Sequence, residues 1–266
     1  MTMLSAYLYV TKVELKNQTR YATETIIRSS LVFMILLIYL QLWSYIYSLD
    51  NSQMSHLLPK NNMLWYMYLV VVAELGRFRP GKEIETDVVT GNIAYLLNRP
   101  YAYLLYQYFK HAAGAIFRTV MALVFGLGLV LLHTREFISI SGTSLLIFCI
   151  SYIFAQTIDF LIHAIIGIAA FVLEETNILR LLCQKLVFLI GGLFFPLDFL
   201  PTFLQNISAV LPFRLTTYAP AIILANFANV DVANIIQSQI IWILILMGCL
   251  MLLYRIYSAR VTINGG

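Results

Sequence analysis

Long apolar runs, separated by short charged segments, constrain the fold of this chain more than any other feature. An α-helix needs about 20 apolar residues to cross the hydrocarbon core of a bilayer. Only 11% of the residues are charged, whereas soluble domains carry roughly 25%. The sequence therefore predicts an all-α, polytopic membrane protein with one transmembrane domain over residues 1–266. Six spans are predicted, at about 27–48, 57–77, 105–132, 143–172, 181–197 and 235–256.

The distribution of Lys and Arg predicts the orientation of these spans, because cytosolic loops carry an excess of basic residues. With six crossings and the N-terminus inside, only Lys60, Arg135 and Arg214 of the 17 basic residues fall on the outer side. Both termini are therefore expected in the cytosol. The net charge of +4 follows from this bias and indicates no nucleic-acid partner.

Two segments outside the predicted spans are expected to lie at the membrane surface. In residues 1–26, Lys12, Lys16 and Arg20 recur at every fourth position, which predicts an amphipathic interfacial helix; a solvated lead-in is the alternative. Residues 196–228 are apolar, but prolines divide them into pieces too short to cross. These pieces are predicted to form short re-entrant or interfacial helices on the outer face, and an apolar extracellular loop is the alternative.

A basic loop after the second predicted span is similar to a phosphate-binding loop. Residues 76–82 read GRFRPGK, which matches G-x-x-x-x-G-K. A P-loop requires Ser or Thr after the lysine as a magnesium ligand, and this chain has Glu83 at that position. The sequence therefore argues against ATP binding by this loop.

Residues 77–100 are instead predicted to form a cytosolic loop that contains a short charged helix. Pro80 suits the start of such a helix, Glu83 suits its first turn, and Gly91 suits its end. The density of charge indicates a docking surface for another protein. A simple connector between two spans is the alternative.

Three sequence runs, together with this order of elements, resemble a known family. They are GNIAYLLNRP (residues 91–100), GGLFFPLDFLP (191–201) and LPFR (211–214). The chain resembles the membrane subunits of type-2 ABC (ABC-2) exporters, in particular bacterial drug and antibiotic exporters. In such exporters separate subunits bind ATP and Mg²⁺, and the first cytosolic loop of the permease docks on them as a coupling helix. The resemblance implies that the ATPase contacts are made by Gly81, Lys82, Glu83, Glu85 and Asp87.

The resemblance also implies an assembly. Two ATPase subunits and a second permease, identical or homologous, would join this chain in the bacterial cytoplasmic membrane. The first, second and fifth spans would line the interface between the permeases. The exported substrate would be hydrophobic or amphipathic, such as a drug, a peptide or a lipid-like molecule. The chain itself would hold no cofactor and carry no catalytic site.

Polar residues form a stripe inside the fourth predicted span. Tyr152, Gln156, Asp159 and His163 are spaced by 4, 3 and 4 residues, so they share one face of a helix. A carboxylate near mid-span costs about 2.5–3.5 kcal/mol on insertion scales, and such residues normally face a bundle interior or a water-filled path. The stripe is predicted either to line the transport path or to hold helices together. A proton site at Asp159 and His163 would instead support a proton-coupled transporter or channel.

Other candidate sites in the sequence are few. Glu74 and Arg118 are predicted at similar depth, which makes them candidates for an intramembrane ion pair. The three cysteines lie in apolar runs without paired spacing and are expected to be small core residues. No metal site is expected. The lack of a catalytic cluster disfavours an intramembrane enzyme, whereas a membrane scaffold remains an alternative.

Overall fold

The computed structural model describes residues 3–20, 22–49, 58–194 and 196–264, and all regular secondary structure in these ranges is helical. Three short 3₁₀ turns, at Leu197–Phe199, Pro212–Leu215 and Phe227–Asn229, lie among the later helices. The α-helices are α1 (Met3–Arg20), α2 (Ala22–Ser48), α3 (Lys60–Leu75), α4 (Gly81–Val89), α5 (Asn92–Leu97), α6 (Tyr103–Thr134), α7 (Gly142–Ile168), α8 (Ala170–Leu173), α9 (Asn177–Ile190), α10 (Thr202–Val210), α11 (Tyr218–Ala225) and α12 (Val232–Asn264).

Four stretches of helix in the described residues are long and apolar enough to cross a membrane. They are Ser30–Ser48 in α2, Tyr103–Thr134 (α6), Gly142–Leu173 (α7 and α8) and Val232–Tyr257 in α12. The chain is therefore an all-helical polytopic membrane protein. The other two predicted spans correspond to α3, with 16 residues, and α9, with 14. These helices are about 24 Å and 21 Å long, shorter than a hydrocarbon core of about 30 Å, so the prediction of six spans is confirmed for four.

Helix α3 forms the centre of the bundle. Every residue from 63 to 73 is at most 3% exposed, because α2, α6 and α11 surround the helix. A helix that is apolar on all sides is stable only when it is buried on all sides. Helix α3 therefore has no free face for a second permease, and the expectation that the second predicted span lines that interface is not met.

Residues 196–228 form short helices, as predicted, and the last of them belongs to the core. Residues 219–225 of α11 are buried between α3 and α7. The side-chain amide of Asn62 donates to the carbonyl of Ala225 over 2.7 Å, and the hydroxyl of Thr217 donates to the carbonyl of Gly191 over 2.6 Å. These bonds satisfy backbone carbonyls at the ends of short helices, where no helical partner exists. The segment is therefore not a plain surface loop.

Helix α1 packs along the first half of α6. Buried Tyr7 stacks on Phe109 with ring centroids 5.5 Å apart, and its hydroxyl accepts a hydrogen bond from the backbone N–H of Ala102 over 2.9 Å. The basic residues Lys12, Lys16 and Arg20 share the exposed face, as their spacing predicts. The helix ends at Arg20, so residues 22–26 belong to α2 and not to the predicted surface helix of residues 1–26.

The cysteines are less uniformly buried than expected. Cys183 in α9 is buried, whereas Cys149 in α7 and Cys249 in α12 are exposed. Both exposed thiols lie on helices long enough to span a membrane, and an apolar helix face that is exposed in the bundle would face lipid. A small residue in an apolar run thus need not be a core residue when the bilayer is part of the solvent.

Candidate functional site

Helix α4 is a short polar helix that lies outside the long helices and packs against α7. The chain leaves α3 at Leu75, turns through residues 76–80, and enters α4 directly after Pro80, as predicted. The helix ends at Val89, and Gly91, with φ of 73°, separates it from α5. A left-handed backbone favours glycine, which has no Cβ. The predicted loop of residues 77–100 is thus largely helical.

Two glycines allow α4 to approach α7 closely. A Cβ atom at Gly81 would lie 2.9 Å from the carbonyl oxygen of His163, and a Cβ atom at Gly167 would lie 2.7 Å from Cβ of Ile84. Ile84 is fully buried at this contact. Gly81, which the resemblance assigns to the ATPase contact, is itself buried and serves the packing of α4 on α7.

Glu83 ties α4 to α6. Its carboxylate forms an ion pair with Lys110, and the Nε2 atom of His111 lies 3.5 Å from Glu83 Oε2. Partial burial raises the pKa of Glu83, but hydrogen bonds and charge from His111 and Lys110 outweigh it and lower the pKa to about 2. The carboxylate is therefore ionised at neutral pH and is directed at the bundle.

The next two acidic residues of α4 are also engaged within the chain. Glu85 forms an ion pair with Arg180 of α9 and accepts a hydrogen bond from the hydroxyl of Thr176 over 2.6 Å. Asp87 accepts a hydrogen bond from the hydroxyl of Tyr103 in α6 over 2.7 Å. With Glu83, these residues connect α4 to two further helices besides α7. All three side chains remain partly exposed, so their contact with a partner protein stays a prediction.

The free face of α4 and α5 carries different residues. Val89 is 59% exposed and Tyr95 is 60% exposed, and Lys82 and Thr86 are exposed beside them. The guanidinium of Arg99 lies 4.5 Å from the centre of the Tyr95 ring, a cation–π contact. This surface, named here the outer face of α4 and α5, comprises Lys82, Thr86, Val89, Thr90 and Tyr95.

A buried ion pair joins the turn before α4 to α7. Arg77 is 3% exposed and Asp159 is 1% exposed, and Arg77 Nε donates to Asp159 Oδ1 over 3.0 Å. Arg77 also donates to Glu74 Oε2 over 3.1 Å. Asp159 lies 17 residues after the start of α7, about 26 Å along the helix axis. It is therefore near the middle of the candidate span Gly142–Leu173, at a depth where a carboxylate requires a partner.

The predicted polar stripe of α7 faces the same junction. The side-chain amide of Gln156 donates to the carbonyl of Ala73 over 3.3 Å, and the hydroxyl of Tyr152 lies 2.6 Å from that of Thr119 in α6. Nδ1 of His163 lies 2.9 Å from the carbonyl of Asp159. All four stripe residues contact protein, so this arrangement fits the alternative in which the stripe holds helices together.

The predicted ion pair between Glu74 and Arg118 is not formed in the described structure. Glu74 pairs with Arg77 and Arg79, which follow it directly in the chain. Arg118 instead donates to the carbonyls of Leu75, over 2.8 Å, and Arg77, over 3.1 Å. These carbonyls lie at the end of α3, where no helical N–H is available, so a cation is a suitable partner.

Sequence reasoning missed the cations of this site. Arg77, Lys110 and Arg180 lie 82, 27 and 95 positions from their acidic partners. The sequence indicated that a carboxylate within an apolar run, such as Asp159, requires a cation as partner. It did not indicate which Lys or Arg that partner is. No group of three or more His, Cys, Asp or Glu in the described ranges could hold a metal ion.

Comparison with known sequences identifies a family that matches most of the chain. The sequence model of the family described as ABC-2 family transporter protein matches residues 29–265. A search among curated proteins finds no match. The match covers all helices from α3 to α12 and most of α2. This chain belongs to the ABC-2 family of transporter proteins.

Proposed function

We propose that this chain is the transmembrane subunit of an ATP-driven exporter whose ATP and Mg²⁺ are bound by two separate ABC ATPase subunits. Membership of the ABC-2 family supports a transporter subunit that works with ATPase partners. The main support is the difference between the two sides of α4. Its inner side is bonded to the bundle, and its outer side is free.

The inner side of α4 would transmit motion. The contacts of Glu83 and Asp87 join it to α6, those of Glu85 join it to α9, and the glycine contacts join it to α7. Closely packed elements move together, since interiors of native packing density transmit strain. A displacement of α4 by a partner would therefore displace the three helices α6, α7 and α9.

The outer face of α4 and α5 would be the surface that the ATPase contacts. Val89 and Tyr95 supply exposed apolar area, and Tyr is enriched at the energetic centres of interfaces. Lys82 supplies a cation at the edge of this area. We assign the main ATPase contact to these residues rather than to Glu83, Glu85 and Asp87, because those carboxylates bond to other helices of the bundle.

The transport path would lie between two permease subunits. Of the first, second and fifth predicted spans, helix α3 is buried within its own chain. The exposed apolar faces that could meet a second permease therefore belong to α2 and α9. Phe194 and Phe199, which follow α9, contact Tyr39 and Trp43 of α2, so the two helices border the same region. Leu31, Ile38, Leu182 and Leu189 are each exposed by 53% or more. A path lined by such residues suits a hydrophobic or amphipathic substrate.

The proposed topology has six crossings, with both termini in the cytosol of a bacterial inner membrane. Helix α3 begins beside Glu136, at the far end of α6, and ends beside Arg118. It thus runs next to the membrane-crossing part of α6. Helix α9 is short, but the sequence that follows it remains largely apolar as far as Leu200. The proton-coupled alternative is less well supported, because Asp159 is paired with a buried arginine.

The test is retention of ATP hydrolysis by the tagged chain after purification from its native membrane. Val89→Glu places a charge at the centre of the outer face of α4 and α5. We expect this variant to lower the co-purified ATP hydrolysis at least tenfold, because a buried unpaired charge is costly in an interface.

Val210→Glu is the matched control, because Val210 is 71% exposed on α10, at the other end of the bundle. It should retain hydrolysis close to that of the wild type, and both variants should keep the wild-type melting temperature. Equal loss in the two variants, or no hydrolysis in the wild-type preparation, would reject the proposal.

A further inference from the structure

A crevice with polar walls lies at the end of the bundle opposite α4. Its volume is about 330 Å³, at the lower end of the range of small-molecule pockets, about 300–1,000 Å³. Leu58, Ile222 and Ile235 provide an apolar floor. The charged walls are Asp198, Arg214 and Asp231, and Tyr218, Asn229 and Asn234 lie among them. No part of this crevice contacts the coupling helix.

Two of the three sequence runs that resemble the ABC-2 family contribute residues to this crevice. Asp198 comes from the run GGLFFPLDFLP, and Arg214 comes from LPFR. They lie in the turns Leu197–Phe199 and Pro212–Leu215, and both line the crevice. The short helices of residues 196–228 thus place an aspartate and an arginine, 16 positions apart in the sequence, in the same crevice.

Arg214 is half-buried, and its guanidinium has no hydrogen-bond or ion-pair partner in the part of the chain that the structure describes. The carboxylates each have one bond and oxygen atoms to spare. Asp198 accepts from the hydroxyl of Tyr218 over 3.0 Å, and Asp231 accepts from the backbone N–H of Asn234 over 3.1 Å. A planar guanidinium without a partner suits a phosphate or carboxylate group.

The balance of charge selects the class of ligand. One arginine and two aspartates give the crevice both signs, so a simple anion would be repelled by the carboxylates and a simple cation by the guanidinium. A group that carries both charges satisfies both walls. Helix α12 begins at Val232 on the rim, so the crevice lies where a long apolar helix would enter the membrane.

We propose that this crevice binds a zwitterionic phosphate–ammonium group, with the phosphate at Arg214 and the ammonium at Asp198 and Asp231. The phosphoethanolamine headgroup of a membrane lipid has this chemistry, and a free zwitterionic phosphate ester shares it. The ammonium of ethanolamine donates N–H bonds to carboxylates, whereas the quaternary ammonium of choline has no N–H to donate. The proposal does not depend on the ATPase partner.

Native mass spectrometry of the full-length protein tests this site with equal amounts of phosphatidylethanolamine, phosphatidylcholine and phosphatidylglycerol. We expect phosphatidylethanolamine to be retained at least tenfold over the other two lipids. Asp198→Asn should remove this preference, whereas Arg214→Gln should lower the retention of all three lipids, because each of them carries the phosphate. Asparagine at position 198 can still accept the hydrogen bond from Tyr218, so its effect would report charge and not folding.

Arg135→Gln and Glu136→Gln are the matched controls, because both residues are exposed at the same end of the bundle and neither lines the crevice. They should keep the preference of the wild type. Glycerophosphoethanolamine added in excess identifies the source: displacement of the lipid supports recognition of the headgroup alone, and its failure supports a lipid ligand. Equal retention of the three lipids, or equal loss in site and control variants, would overturn the proposal.

Discussion

At the scale of single residues, buried charges organise the junction between α3, α4 and α7. Asp159 was identifiable from the sequence as a costly carboxylate in an apolar run, and the structure supplies Arg77 as its partner. A buried pair of this kind need not stabilise the fold more than apolar residues would, but the loss of one partner leaves an uncompensated charge. The pair therefore fixes how the turn before α4 meets α7.

Arg77→Ala should lower the free energy of unfolding by about 3–5 kcal/mol, because it strands Asp159 in the interior. The double variant Arg77→Met with Asp159→Leu should lose less, since no charge is left unpaired. Reversible unfolding of the purified protein in mixed micelles measures both effects.

Arg79→Ala is the control for this comparison. Arg79 pairs with Glu74 but its side chain is 43% exposed, so its removal should cost less than about 1 kcal/mol. A double variant that is less stable than the Arg77 single variant would contradict the expected role of the pair.

The contribution of Glu83 to stability should depend on pH. Its pKa is lowered from 4.5 to about 2 in the folded protein, so the folded state favours the ionised form. That contribution is fully present above about pH 4.5 and is lost as the pH falls towards 2. The stability difference between the wild type and Glu83→Gln should therefore shrink across this window. A difference that stays constant from pH 6 to pH 2.5 would show that the carboxylate contributes no charge-dependent stability.

At the scale of elements, the contact between α4 and α7 depends on glycines. The start and end of α4 were predictable, because Pro80 and Gly91 act locally on the backbone. Its orientation was not predictable. Acidic residues at positions 83, 85 and 87 could face a partner or the bundle, and only the packing of Ile84 and Gly81 on α7 directs them inwards.

Gly167→Ala should destabilise the protein by about 1–3 kcal/mol, because the added methyl group meets Ile84 and the carbonyl of Gly81 and forces the helices apart. Gly128→Ala on α6 is the control, since a Cβ atom there has no neighbour within 4 Å. Alanine is the better helix former, so the control should be neutral or slightly stabilising. Thermal unfolding of the two variants distinguishes them, and equal melting temperatures would disprove close packing at Gly167.

At the scale of the whole molecule, the bundle has two different ends. One end carries α1, α4 and most of the basic residues, and the other carries the short helices of residues 196–229 and the crevice lined by Asp198, Arg214 and Asp231. Helix α3 connects the two ends through the core. The orientation of the bundle in the membrane follows from this division if basic residues remain inside.

Single cysteines test the six-crossing topology in a chain whose three native cysteines are replaced by serine or alanine. Thr86→Cys should react with a membrane-impermeant maleimide only in inverted vesicles, whereas Glu136→Cys and Ala228→Cys should react in intact cells. Six crossings place position 86 on one side and positions 136 and 228 on the other. If α3 and α9 did not cross, positions 86 and 228 would share a side, and this result would refute the topology.

The sequence alone determined the class of the protein, the positions of its long helices and the start of α4. These properties follow from the composition of continuous segments and from proline and glycine, which act on their own backbone. Only the tertiary structure decided which cations meet Asp159, Glu83 and Glu85, which face of α4 is free, and that α3 is enclosed. Such contacts join residues far apart in the chain, and their geometry is set by how the helices pack, which no local pattern records.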